Sequence, residues 1–72
     1  MQALENVDRA YAHRQNGDRA RAVAECRAAL TVVRGARFDV CERIAMGTAV
    51  ARLTRFADMG AVAAELETAI AA

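Results

Sequence analysis

The stretch from Asn16 to Gly35 reads NGDRARAVAECRAALTVVRG and decides the fold class. Asp18 is a favourable N-cap residue, and the Asn16-Gly17 pair before it is a typical helix stop. The larger apolar residues of the stretch recur three and four positions apart, as on one face of an α-helix; they are Val23, Cys26, Leu30 and Val33. Arginine and glutamate occupy the opposite face. The pattern predicts an amphipathic helix that starts after Asp18 and ends near Gly35.

Two further breaks, at Gly35-Ala36-Arg37 and at residues 57–60, divide the chain into four segments of helical character. The first runs from about Gln2 to Gln15, with an apolar stripe of Leu4, Val7 and Tyr11. The last begins near Asp58, with a stripe of Met59, Val62, Leu66 and Ala69. Because short connections join antiparallel helices, we expect one all-α domain over residues 1–72. Its four helices would form two antiparallel hairpins, or three helices would form if the last two segments merge.

The third segment, from Asp39 to about Arg55, changes its apolar side at Gly47. Asp39 and Glu42 have the spacing of an acidic capping box. Before Gly47 the apolar side is formed by Val40, Cys41, Ile44 and Ala45. After Gly47 it lies on the opposite side, at Met46, Val50 and Leu53. Either this helix kinks near Gly47, or its two halves pack against different neighbours, one of which would be a second subunit.

The second apolar side of this segment is the predicted binding surface for a partner protein. It comprises Met46, Val50, Leu53 and Phe56, with Met59 and Leu66 contributing from the last segment. The alternative is that the last segment covers this stripe within one chain. A chain of 72 residues with alanine-rich apolar faces is marginally stable as a monomer. We therefore expect association with itself or with a larger partner, as a non-enzymatic adaptor or chaperone-like protein.

Arginines cluster at the first two connections and give an alternative function. Arg14, Arg19 and Arg21 surround the first connection, and Arg34 and Arg37 surround the second. Such clusters would suit a small nucleic-acid-binding regulator. The formal net charge is only +1, and Tyr11 is the single aromatic residue within residues 1–37, so support for that function is weak. Charged helix faces are also ordinary solvated surfaces.

Residues for catalysis or metal binding are scarce, so we expect no enzyme, no cofactor and no metal. Serine and lysine are absent, and His13 is the only histidine. Cys26 and Cys41 lack the spacing of a zinc site, and we expect both to be buried, reduced thiols. A regulatory disulfide between them is the alternative. No signal peptide or membrane-spanning stretch is recognisable. We therefore expect a cytoplasmic protein with no membrane partner.

Part of the second segment resembles a known repeat family. Gly17-Asp18, Ala22-Val23, Cys26 and Ala29-Leu30 resemble the second helix of a tetratricopeptide repeat, over residues 17–30. The tryptophan and the closing proline of that repeat are missing here. A shift of forty residues also aligns the apolar positions of the second and fourth segments, as two related hairpins would. The resemblance implies a helical module that binds peptides or proteins. In size and composition, the chain also looks like the small helical-hairpin co-chaperones of bacterial secretion systems.

Overall fold

The computed structural model describes residues 1–72 as four α-helices without strands. The helices are α1 (Gln2–Gln15), α2 (Arg19–Gly35), α3 (Val40–Leu53) and α4 (Gly60–Ala71). A 3-10 turn, Ala57–Met59, precedes α4. The predicted all-α class is therefore confirmed, and the last two segments remain separate helices. None of the helices is both long enough and apolar enough to cross a membrane.

Helices α2 and α3 begin at residues whose side chains cap them, at the breaks in the sequence pattern. Asp18 accepts a hydrogen bond from the backbone N–H of Arg21 at 3.1 Å, and so caps α2. Asp39 accepts one from the N–H of Glu42 at 2.8 Å, and the Glu42 carboxylate accepts one from the N–H of Asp39 at 3.0 Å. This is the predicted capping box of α3. Gly17 has φ +81°, which allows the tight turn between α1 and α2.

The helices form two antiparallel hairpins, α1 with α2 and α3 with α4. These hairpins lie side by side in the same direction, so α1 packs against α3 and α2 packs against α4. At one end of the molecule Tyr11 of α1 contacts Phe56, which follows α3, with ring centroids 5.7 Å apart. Midway along the molecule Arg27 of α2 binds Glu65 of α4 at 2.8 Å. The parallel arrangement of the hairpins brings the C-terminal ends of α2 and α4 together.

A single hydrophobic core lies between the two hairpins. Seventeen apolar residues are buried in one cluster, and Asn6, which accepts a hydrogen bond from Arg9, is the only buried polar residue. On α1 the fully buried residues are Ala3, Val7 and Ala10, whereas the predicted Leu4 and Tyr11 are half-buried. Alanine at these contacts lets the helices approach closely, since interaxial distance follows side-chain size.

Helix α3 buries one side, and only from Met46 onward, which corrects the sequence interpretation. The helix is uninterrupted at Gly47 and does not divide there. Its buried residues are Met46, Ala49, Val50 and Leu53. The apolar residues of the first turns, Val40, Cys41 and Ile44, are exposed. Both neighbours of α3, helices α1 and α4, contact the same side, so the opposite side keeps its apolar residues in solvent.

Candidate functional site

The predicted partner-binding residues belong to the core of the single chain. Met46, Val50, Leu53, Met59 and Leu66 are all 0% exposed, and Phe56 is half-buried against Tyr11. The guanidinium group of Arg14 lies 4.7 Å from the centroid of the Phe56 ring. Since α4 covers this stripe within the chain, these side chains stabilise the fold and present no apolar surface to a second chain.

The exposed aliphatic residues lie on the first two turns of α3 instead. Val40 is 72% exposed and Ile44 is 64% exposed, one helical turn apart on the same side. Cys41 lies beside them and is also exposed, which contradicts the prediction that both cysteines are buried. Large aliphatic side chains left in solvent as neighbours are a feature of interaction surfaces.

A groove lies next to these turns, where Arg43 of α3 lines it, between the C-terminal end of α2 and the length of α4 from Ala61 to Ile70. It has a volume of about 1060 Å³, which is at the upper end for binding cavities. Residues 36–39 connect α2 to α3 along its edge and supply Phe38. Phe38 is the half-buried large apolar residue of the lining, the core residues Val33 and Ile70 reach it with only 5% and 9% of their surface exposed, and alanines supply the rest of its apolar surface. We call the groove together with Val40 and Ile44 the docking surface.

The groove carries an excess of positive charge. Arg34, Arg37 and Arg43 line it, and none of them lies within ion-pair distance of a carboxylate. Glu65 is the one acidic residue of the lining, and Arg27 already binds it. The nearby carboxylates of Asp39 and Glu42 each accept a hydrogen bond from the backbone N–H of the other residue, in the capping box of α3. Three guanidinium groups therefore remain available around an apolar groove.

The five arginines of the nucleic-acid hypothesis do not form one surface. Arg14 and Arg19 both lie near Asp58, with nitrogen–oxygen distances of 3.0 and 3.5 Å. The hydrogen bond from Arg14 lowers the pKa of the Asp58 carboxyl group from its ordinary value. Arg21 pairs with Asp18 at 3.4 Å. Arg34 and Arg37 lie at the other end of α2, about 25 Å away at 1.5 Å per residue.

Tyr11, the aromatic residue near Arg14, contacts two other arginines of the chain. Arg55 donates a hydrogen bond to the Tyr11 hydroxyl at 2.8 Å, and the Arg52 guanidinium lies 4.6 Å from the centroid of the Tyr11 ring. A base would have to displace these groups before it could stack on Tyr11.

The histidine and cysteine side chains do not come together as a catalytic or metal-binding site. His13 Nε2 lies 4.0 Å from a Glu25 oxygen that already accepts a hydrogen bond from Arg9 at 2.9 Å. Burial raises the pKa of the Cys26 thiol to about 11, so this residue is a poor nucleophile at neutral pH. Both cysteines are free thiols, and no three histidine, cysteine or acidic side chains are grouped as metal ligands.

Comparison with known protein families, curated proteins and solved structures found no match for this chain. The candidate site therefore rests on geometry alone. The sequence analysis missed Phe38 and Arg43 as site residues, and it assigned Val40 and Ile44 to an apolar face packed against a neighbour. The available signal was the change of apolar side at Gly47, which shows that α3 has two apolar sides but not which one faces inward.

Proposed function

We propose that this chain is a non-enzymatic protein-interaction module, an adaptor or chaperone-like protein that binds a partner through the docking surface. One observation carries the proposal: a groove of about 1060 Å³, lined by both apolar and polar residues, lies next to the first turns of α3, where Val40 and Ile44 are exposed, in a chain of 72 residues. The partner is a larger protein or a second copy of the chain. Reduced, unpaired Cys26 and Cys41 suit a cytoplasmic protein.

The fold supports this proposal through the placement of its apolar residues. The core is closed within one chain, so Val40 and Ile44 are not needed to complete it. Two hairpins packed side by side in the same direction resemble successive units of helical repeat proteins, which bind partners on the surfaces formed between units. The nucleic-acid alternative has no comparable support, since three of its five arginines bind carboxylates within the chain.

Affinity capture with a matched pair of variants tests the proposal. Ile44→Asp places a charge on the docking surface, and Ala51→Asp places the same charge at an exposed position further along α3. Both replaced side chains point away from the core, so both variants should fold. We expect the wild type and Ala51→Asp to retain the same interacting protein and Ile44→Asp to lose it. Light scattering over a hundredfold concentration range shows whether that protein is a second copy.

Cys41 provides a second readout in the same experiment. Its thiol lies next to Ile44 and is exposed, whereas Cys26 is fully buried. A bound partner should slow the reaction of Cys41 with a thiol reagent, and release of the partner should restore the rate. Identical capture by all three proteins, with no protection of Cys41 and a monomer at every concentration, would contradict the proposed function.

A further inference from the structure

The charge and shape of the groove point to a particular kind of partner. We infer that the groove binds an acidic amphipathic helix of a partner protein, whose apolar face enters the groove and whose carboxylates pair with Arg34, Arg37 and Arg43. This inference rests on the proposed function and names the partner for the same surface.

The positive charge of the groove favours an acidic partner. The three arginines line the groove and have no acidic partner in the chain, and Glu65, the one acidic residue of the lining, is paired with Arg27. A guanidinium group pairs with a carboxylate through two parallel hydrogen bonds. A ligand with carboxylates beside apolar side chains would satisfy both kinds of lining. A basic or neutral segment would leave the three positive charges without partners, and a basic one would be repelled.

The shape of the surface favours a helix over an extended peptide. The molecule contains no β-strand, so no sheet edge is available to pair with the backbone of an extended segment. A helix satisfies its own backbone N–H and C=O groups and needs only side-chain contacts. Ala61 and Ala64 form part of the groove surface on α4, and small side chains allow a helix to approach closely. Half-buried Phe38 offers a larger apolar contact in the same groove.

The test is a selection from a phage library of amphipathic helices. Leucine or alanine occupies the apolar positions of each library member, and the flanking positions vary among glutamate, glutamine, lysine and arginine. The target is the folded full chain. We expect glutamate to be enriched at the flanks, and the selected peptide to bind measurably in fluorescence anisotropy. The double variant Arg37→Glu/Arg43→Glu should weaken that binding by about tenfold, since each lost ion pair is worth up to about fivefold and each new glutamate repels the carboxylates of the peptide.

Two controls show whether the effect belongs to the groove. Arg21→Glu/Arg52→Glu makes the same change of charge away from the groove lining, and it should leave the affinity within about twofold. A selection against Arg37→Glu/Arg43→Glu should enrich lysine or arginine at the flanks. Raising the salt concentration should lower the affinity of the acidic peptide, because salt screens interactions between exposed charges.

A further pair of variants separates failure of this inference from failure of the proposed function. Ala61→Gln/Ala64→Gln fills the groove without a charge, and Ala24→Gln/Ala28→Gln makes the same change at exposed positions of α2. Enrichment of glutamine, lysine or arginine flanks on the wild type, with binding lost only when the groove is filled, would overturn the acidic helix and keep the docking surface. No enriched peptide, or binding that survives filling of the groove, would overturn both.

Discussion

Replacing Leu53 by alanine should destabilise the fold far more than replacing Ile44 by alanine, although both residues lie on α3. Leu53 is 0% exposed and Ile44 is 64% exposed. Both changes remove three carbon atoms. The comparison therefore measures which side of α3 faces the core, the point on which sequence and structure differ most.

The expected magnitudes follow from burial. Three carbons at about 0.8 kcal/mol each, plus the cavity left behind, give a loss of about 3 kcal/mol for Leu53→Ala. For Ile44→Ala only roughly a third of that transfer energy applies, and the better helix propensity of alanine returns about 0.4 kcal/mol. The net loss is about 0.5 kcal/mol. A domain of this length has a total stability of roughly 4–11 kcal/mol, so only the first change is severe.

Urea unfolding followed by circular dichroism at 222 nm measures both values. With a slope of about 1 kcal/mol per molar urea, Leu53→Ala should lower the midpoint by about 3 M and Ile44→Ala by about 0.5 M. Each measurement is repeated at two protein concentrations, because self-association would make the midpoint depend on concentration. A loss for Ile44→Ala equal to or greater than that for Leu53→Ala would refute the orientation of α3 described above.

Three other predictions concern caps and titrating groups. Asp39→Ala should destabilise the chain by about 1 kcal/mol in urea unfolding, because α3 loses its capping box, and Asp39→Asn should largely preserve stability. The pKa of Cys26 is about 11 in the folded chain and 9.0 ordinarily, so the thiol ionises first in the unfolded state. Stability should therefore be full below pH 9 and fall by up to about 2–3 kcal/mol towards pH 11, a fall that Cys26→Ala should abolish. Arg14→Gln should raise the pKa of Asp58 in a carboxyl NMR titration, and an unchanged value would show that the ion pair does not form in solution.

Most of the fold could be predicted from the sequence because its signals are local. Asp18, Gly17 and Asp39 act on the backbone within a few residues, so the starts of α2 and α3 and the stop of α1 follow from spacing alone. Short connections then leave little choice but two antiparallel hairpins. These predictions required no knowledge of how distant segments meet.

The orientation of α3 could not be obtained in this way, because it depends on tertiary contacts. Val40 and Ile44 form as good an apolar pair as Met46 and Val50 when only their spacing is considered. The side that faces inward depends on where α1 and α4 lie, and both contact the side of Met46. The candidate site could not be predicted for the same reason, since it also depends on tertiary contacts. Phe38 and Arg43 belong to the groove only because the C-terminal ends of α2 and α4 meet beside them.

The core of this chain closes without a partner, so folding does not depend on the proposed binding. If the stripe of Met46, Val50 and Leu53 had been the interface, each chain would have needed a partner to bury it. The structure buries it internally, so under the proposed function a partner would contribute only at the docking surface. A stable interface of standard size covers about 800 Å² on each protein. That is about a fifth of the 4282 Å² surface of this chain, and the groove runs along α4 from Ala61 to Ile70 in a molecule 32 Å long. Under the proposed function the contact is partly electrostatic, through the three groove arginines, so its affinity should fall as the salt concentration rises.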